Sequence, residues 1–154
     1  MVKKFATIFV FLSASLAMAQ DCEQYLGSCD FYQCMNSNLG CRPNNYLVKF
    51  GFNRCNKFSE TQSTYSTIGQ DFMNQVRECL QVELLQNKKL NCTNVRKNAL
   101  DSHVICYQKA GYCELPYRDR VKIGMTVLSD LLQADFIIVA NKINFNCVNE
   151  GHLQ

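Results

Sequence analysis

Cysteine is the residue type with the most chemistry to offer in this 154-residue chain: Cys22, Cys29, Cys34, Cys41, Cys55, Cys79, Cys92, Cys106, Cys113 and Cys147. A thiol can act as a nucleophile, ligate a metal or pair with a second thiol, and its surroundings decide which. Nucleophilic work needs a base nearby, and His103 and His152 are the only histidines. His103, close to Asp101 and Cys106, has the spacing for a Cys–His pair on one helix. The plainer reading is an ordinary helix residue beside a structural cystine, and His152 falls at the fraying chain end. No His-Glu-x-x-His, nucleophile elbow or phosphate-binding glycine loop occurs. No catalytic residue is therefore assigned, and the chain reads as non-enzymatic. Cys29, Cys34 and Cys41 are near neighbours, but exported thiols oxidise rather than hold zinc. The acidic residues are scattered singly, so no calcium loop is visible, and neither metal nor cofactor is expected.

Export is expected from residues 1–19. Lys3 and Lys4 precede the apolar run Phe5 to Leu12, and Ala17-Met18-Ala19 presents small residues where signal peptidase cuts. The run is too short to span a bilayer, and Val121 to Ile143 is interrupted by Asp130, Asp135 and Lys142, so no membrane span is expected. The mature domain, 20–154, then carries all ten cysteines, about 7% of its residues, close to the level of a disulfide scaffold. Setting aside Lys3 and Lys4 lowers Lys+Arg from 16 to 14, against 13 Asp+Glu. This near-neutral balance argues against nucleic acid as a partner. Lys88-Lys89 and the group Arg118, Arg120 and Lys122 read as solvated surface, balanced by Glu83, Glu114 and Asp119. Asn91-Cys92-Thr93 is a glycosylation acceptor if the host is eukaryotic.

Helices must position these residues. From 20 to 57, cysteines alternate with turn formers, which predicts short helical turns stapled together. From about residue 67, Phe72, Val76, Cys79, Leu80 and Leu84 form one apolar stripe that ends near Gln86-Asn87-Lys88-Lys89. A second helix is expected from Thr93 as cap, with Val95, Ala99, Ser102, Cys106 and Ala110 along one side and Gly111 at its end. A third follows Pro116, with Val121, Met125, Leu128, Leu131 and Leu132 expected to face inward. Phe136-Ile137-Ile138-Val139 suits a buried strand by propensity, but flanking Ala134 and Ala140 favour a continuing helix. The expected fold is a single small all-α, disulfide-rich domain: about three main helices plus a Cys-rich N-terminal segment.

Ten cysteines admit on the order of a thousand complete pairings, and spacing alone selects none. The intervals themselves are distinctive. Four residues separate Cys29 from Cys34, 23 separate Cys55 from Cys79, 13 separate Cys92 from Cys106, and six separate Cys106 from Cys113. With Phe58, Gly69 and Phe72 before Cys79, and Cys106-Tyr107 followed by Lys109, this series resembles the stanniocalcins. These are secreted, helical, disulfide-rich glycoprotein hormones, and the resemblance covers about residues 22 to 147. It implies the pairs Cys22–Cys34, Cys29–Cys55, Cys41–Cys92, Cys79–Cys106 and Cys113–Cys147. One tension stands out: a symmetric hairpin about Lys88 sets Cys79 opposite a residue near 97, so a bridge to Cys106 requires staggered helices.

The resemblance implies a secreted regulatory factor in calcium and phosphate balance, acting on an extracellular protein such as a receptor or a secreted pappalysin metalloproteinase. The alternative is a structural or host-interaction module of a microbe, periplasmic if bacterial. Two departures qualify the resemblance. No spare cysteine follows Cys147 to link two subunits, so a monomer or a noncovalent dimer through an exposed apolar helix face is expected. The interval from Cys41 to Cys55 is longer than in the family, which places an insertion around Pro43 and Gly51.

Overall fold

In a computed structural model, residues 21–128 and 133–149 are described; the expected signal segment 1–19 lies outside them. Among the described residues the chain is helical and contains no strand. After a single 3-10 turn at Glu23–Tyr25 come α1 (Asp30–Asn38), a π-helical segment (Leu47–Phe52) and α2 (Asn53–Thr61). These are the short stapled turns expected of the N-terminal part. Then follow α3 (Thr67–Gln86), α4 (Val95–Lys109), α5 (Tyr117–Thr126) and α6 (Ala134–Asn149). The Phe136–Val139 stretch is helical, but α6 is a separate element rather than a continuation of the preceding helix.

The longest helix, α3, starts where Ser66 accepts a hydrogen bond from the Gly69 N–H. Its apolar stripe faces inward as expected: Phe72, Val76 and Leu84 are buried, while Cys79 and Leu80 are partly covered. α4 packs between α3 and α6 and buries Val95, Ala99, Leu100 and Cys106. Its cap is Asn94, not Thr93. Asn91 Oδ1 accepts from the N–H groups of Thr93 and Asn94, at 3.0 and 3.1 Å, and from the Thr93 hydroxyl at 2.7 Å, so the hydroxyl belongs to the preceding turn. Gly111 (φ +82°) takes the left-handed conformation just past the α4 end.

α5 lies the other way round from the expectation. Val121, Met125 and Leu128 are exposed and Ile123 is buried; Leu131 and Leu132 lie outside the described residues. The cause is Asp119, 1% exposed, which accepts hydrogen bonds from the backbone and hydroxyl of Ser66 at the α3 N-terminus. A carboxylate is stabilised there by the orphan N–H groups and the helix dipole. Residues 119 and 123 share a face, and 121 and 125 lie on the opposite one. Docking the acid thus turns the apolar stripe outward.

Two clusters form the core. One gathers Phe31, Tyr32, Met35, Leu47, Leu84 and Val95 around the N-terminal turns; the other gathers Tyr65, Phe72, Met73, Val76, Leu115 and Ile123 around α3 and α5. Gln81, fully buried on α3, ties the N-terminal loop to the bundle. Its Oε1 accepts from Gly27 N–H at 2.6 Å and its Nε2 donates to the Ser28 carbonyl at 2.7 Å.

Candidate functional site

All ten cysteines are bridged, and none is free. The pairs are Cys22–Cys34, Cys29–Cys55, Cys41–Cys92, Cys79–Cys106 and Cys113–Cys147, the same five that the resemblance implies. The hairpin tension resolves in the loop between α3 and α4. The midpoint between Cys79 and Cys106 falls at Cys92–Thr93, inside that loop, so the hairpin turns several residues later than Lys88.

The bridging removes two kinds of chemistry. Cys106 is bonded to Cys79 and has no thiolate to share with His103, whose Nδ1 lies 2.6 Å from the Ala99 carbonyl. Burial lowers the His103 pKa below its ordinary 6.5, opposed by that backbone bond, so the ring is neutral and Nδ1–H donates. Cys79, Glu83 and Cys106 come within metal-ligand distance of one another, but both sulfurs are spent on each other. Asn91 is exposed, next to the Cys41–Cys92 bridge, where its side chain organises the turn before α4.

Spacing does not reveal a partly open, largely apolar cavity of about 240 Å³ at the seam of the two core clusters. Val76 and Leu80 of α3, Ala99 of α4 and Val139, Ala140 and Ile143 of α6 supply much of its apolar wall. The π-helical segment contributes Tyr46, Phe50 and Gly51. A side chain at Gly51 would place its Cβ 2.6 Å from Tyr32 Cδ1, so glycine lets this backbone close against the ring. Phe50 packs against Phe136 with centroids 4.8 Å apart and the rings tilted by 47°, joining the π-helical segment to α6. α6 is held at both ends. Arg96 pairs with Asp135 at 2.7 Å and lies over the Phe136 ring, and Cys147 is bridged to Cys113.

The polar side chains on the cavity wall include Arg54, Arg77, His103 and Asn144, and among the described residues no carboxylate lines it. Arg77 donates to the Gly27 carbonyl at 3.3 Å, to Ser59 Oγ at 3.0 Å and to Gln62 Oε1 at 3.4 Å, all neutral acceptors. Burial lowers its pKa, offset in part by Tyr32. Tyr32 in turn is pushed up to about 12, chiefly by burial.

Fold and site together define a small all-helical, disulfide-rich domain with an apolar cavity between its two core clusters. Compared with protein-family models, curated proteins and solved structures, the chain matches none.

Proposed function

We propose that the protein is a secreted, non-enzymatic regulatory factor of the stanniocalcin kind, acting by surface contact on an extracellular protein. The observation that carries this reading is the framework: ten cysteines closed as five bridges in the pairing the resemblance implies. Such bridges persist in oxidising compartments, and no described helix is long and apolar enough to cross a membrane. Helices fixed by disulfides present a preorganised surface, which lowers the ordering cost of binding a partner. By the resemblance, that partner is a receptor or a secreted metalloproteinase, and the process served is calcium and phosphate balance.

The purified oxidised protein is expected to inhibit a pappalysin-type metalloproteinase in a dose-dependent way, and to lose that effect on reduction. Failure to bind either the proteinase or a receptor fraction overturns the hormone reading and favours a structural or host-interaction module. Peptide mapping of the native protein tests the framework directly. Five linked pairs and no free thiol are expected, and Cys79 joined to any residue but Cys106 sinks the assignment.

A further inference from the structure

The cavity has a size, a wall and a charge pattern, and each narrows what it could hold. At about 30 Å³ per water-sized group, 240 Å³ takes on the order of eight such groups. With part of the guest left in the open mouth of the cavity, that matches a chain of about eight to ten carbons, well below a long-chain lipid. Most of the wall is aliphatic or aromatic, with Arg77, His103 and Asn144 as single polar groups on α3, α4 and α6, so it offers water few of the two to four polar partners that water needs. Cavities with such walls take apolar guests.

The charge pattern selects the head group. Two arginines and a histidine reach the wall, and among the described residues no acid does. Arg77 is the decisive one, because its hydrogen-bond acceptors are the neutral Gly27, Ser59 and Gln62, and no carboxylate among the described residues pairs with it. A guanidinium at an apolar wall favours a carboxylate, and with Nη1 and Nη2 already donating to Gly27, Ser59 and Gln62, Arg77 offers a guest its Nε–H and the second Nη1–H as charge-assisted donors. His103 is neutral and adds no competing charge.

We propose that the cavity binds a medium-chain fatty acid of about eight to ten carbons, its chain against the α3, α4 and α6 side chains and its carboxylate on Arg77. The π-helical segment and α6 close over the chain through the Phe50–Phe136 contact. This site is separate from surface contact with a protein partner, so either activity can fail alone.

The experiment titrates the delipidated full chain, bridges intact, with decanoate and with decanol, by calorimetry. Saturable one-to-one binding of decanoate is expected, with decanol on the order of tenfold weaker because it lacks the charge-assisted bond. Arg77→Gln should weaken decanoate about tenfold and leave decanol unchanged, while Arg77→Lys should recover part of the loss. Isotope-filtered contacts from decanoate methylenes to the methyl groups of Val76, Leu80, Val139 and Ile143 should place the chain without any substitution. Absence of saturable binding, or contacts only to exposed residues such as Tyr117 and Met125, overturns the proposal. Equal affinity for decanoate in the wild type and Arg77→Gln overturns the head-group assignment.

Discussion

His103 illustrates how burial can outweigh a hydrogen bond in setting a residue's chemistry. The folded protein holds the ring neutral, with its pKa below 6.5, whereas the unfolded chain binds the proton at about 6.5. Between the two values the unfolded state carries more protons, so this contribution to stability is full above about pH 6.5 and is lost as pH falls below it. His103→Gln is expected to flatten the acid-side slope, measured as urea midpoints at about pH 5 and about pH 7.5. An unchanged slope would mean that His103 is not shifted. Gly69 gives a second residue-scale prediction. Alanine favours helix by about 1 kcal/mol over glycine, yet a Cβ here would sit 2.5 Å from Asp119 Oδ2, which Ser66 holds in place. The clash outweighs the propensity, and Gly69→Ala should destabilise by about 1–3 kcal/mol in denaturant unfolding. A stabilised variant would show that Asp119 can give way. Neither Asp119 nor Gln81 stands out in the sequence as a buried anchor. Each is a lone polar residue whose partners, Ser66 in one case and Gly27 and Ser28 in the other, lie more than 50 positions away.

At the scale of elements, legibility follows where the dominant force is local. The α3 stripe and the Gly111 stop depend on spacing and on left-handed backbone, and both can be read directly from the residues. The orientation of α5 cannot. Tyr117, Val121, Met125 and Leu128 make a good apolar stripe, and a single distant hydrogen-bonded acid turns it to solvent. The two orientations predict different costs for one substitution. Met125→Lys should change stability by no more than about 0.5 kcal/mol, as for exposed sites, whereas a core methionine would lose several kcal/mol. Denaturant midpoints distinguish them, and a loss above about 2 kcal/mol would place Met125 inside. The interval between Cys41 and Cys55, marked in the sequence only by its length, holds the π-helical segment whose wide turns bring Phe50 and Gly51 to the cavity. Such local widening of a helix is found disproportionately at functional sites.

For the whole molecule, the all-helical class and the use of every cysteine follow from composition and count, while the pairing depends on the family likeness of the intervals. The cavity was hidden because it arises where two separately packed clusters meet, a property of no single segment. The bridges also divide the chain in a way their stabilising role does not suggest. Cys22–Cys34 overlaps Cys29–Cys55, which overlaps Cys41–Cys92, which overlaps Cys79–Cys106, whereas Cys113–Cys147 shares no loop with the rest. A single backbone cut anywhere from 22 to 106 therefore leaves its two pieces covalently joined, while one cut between 106 and 113 frees them. Lys109 is exposed in that gap, so limited trypsin digestion there should yield two bands on a nonreducing denaturing gel, and nicks elsewhere between Cys22 and Cys106 should show only after reduction. The oxidised protein is in effect two linked rings of chain in series, and residues 107–112 are the one stretch where a protease can separate the part bearing α5 and α6 from the part bearing α1 to α4.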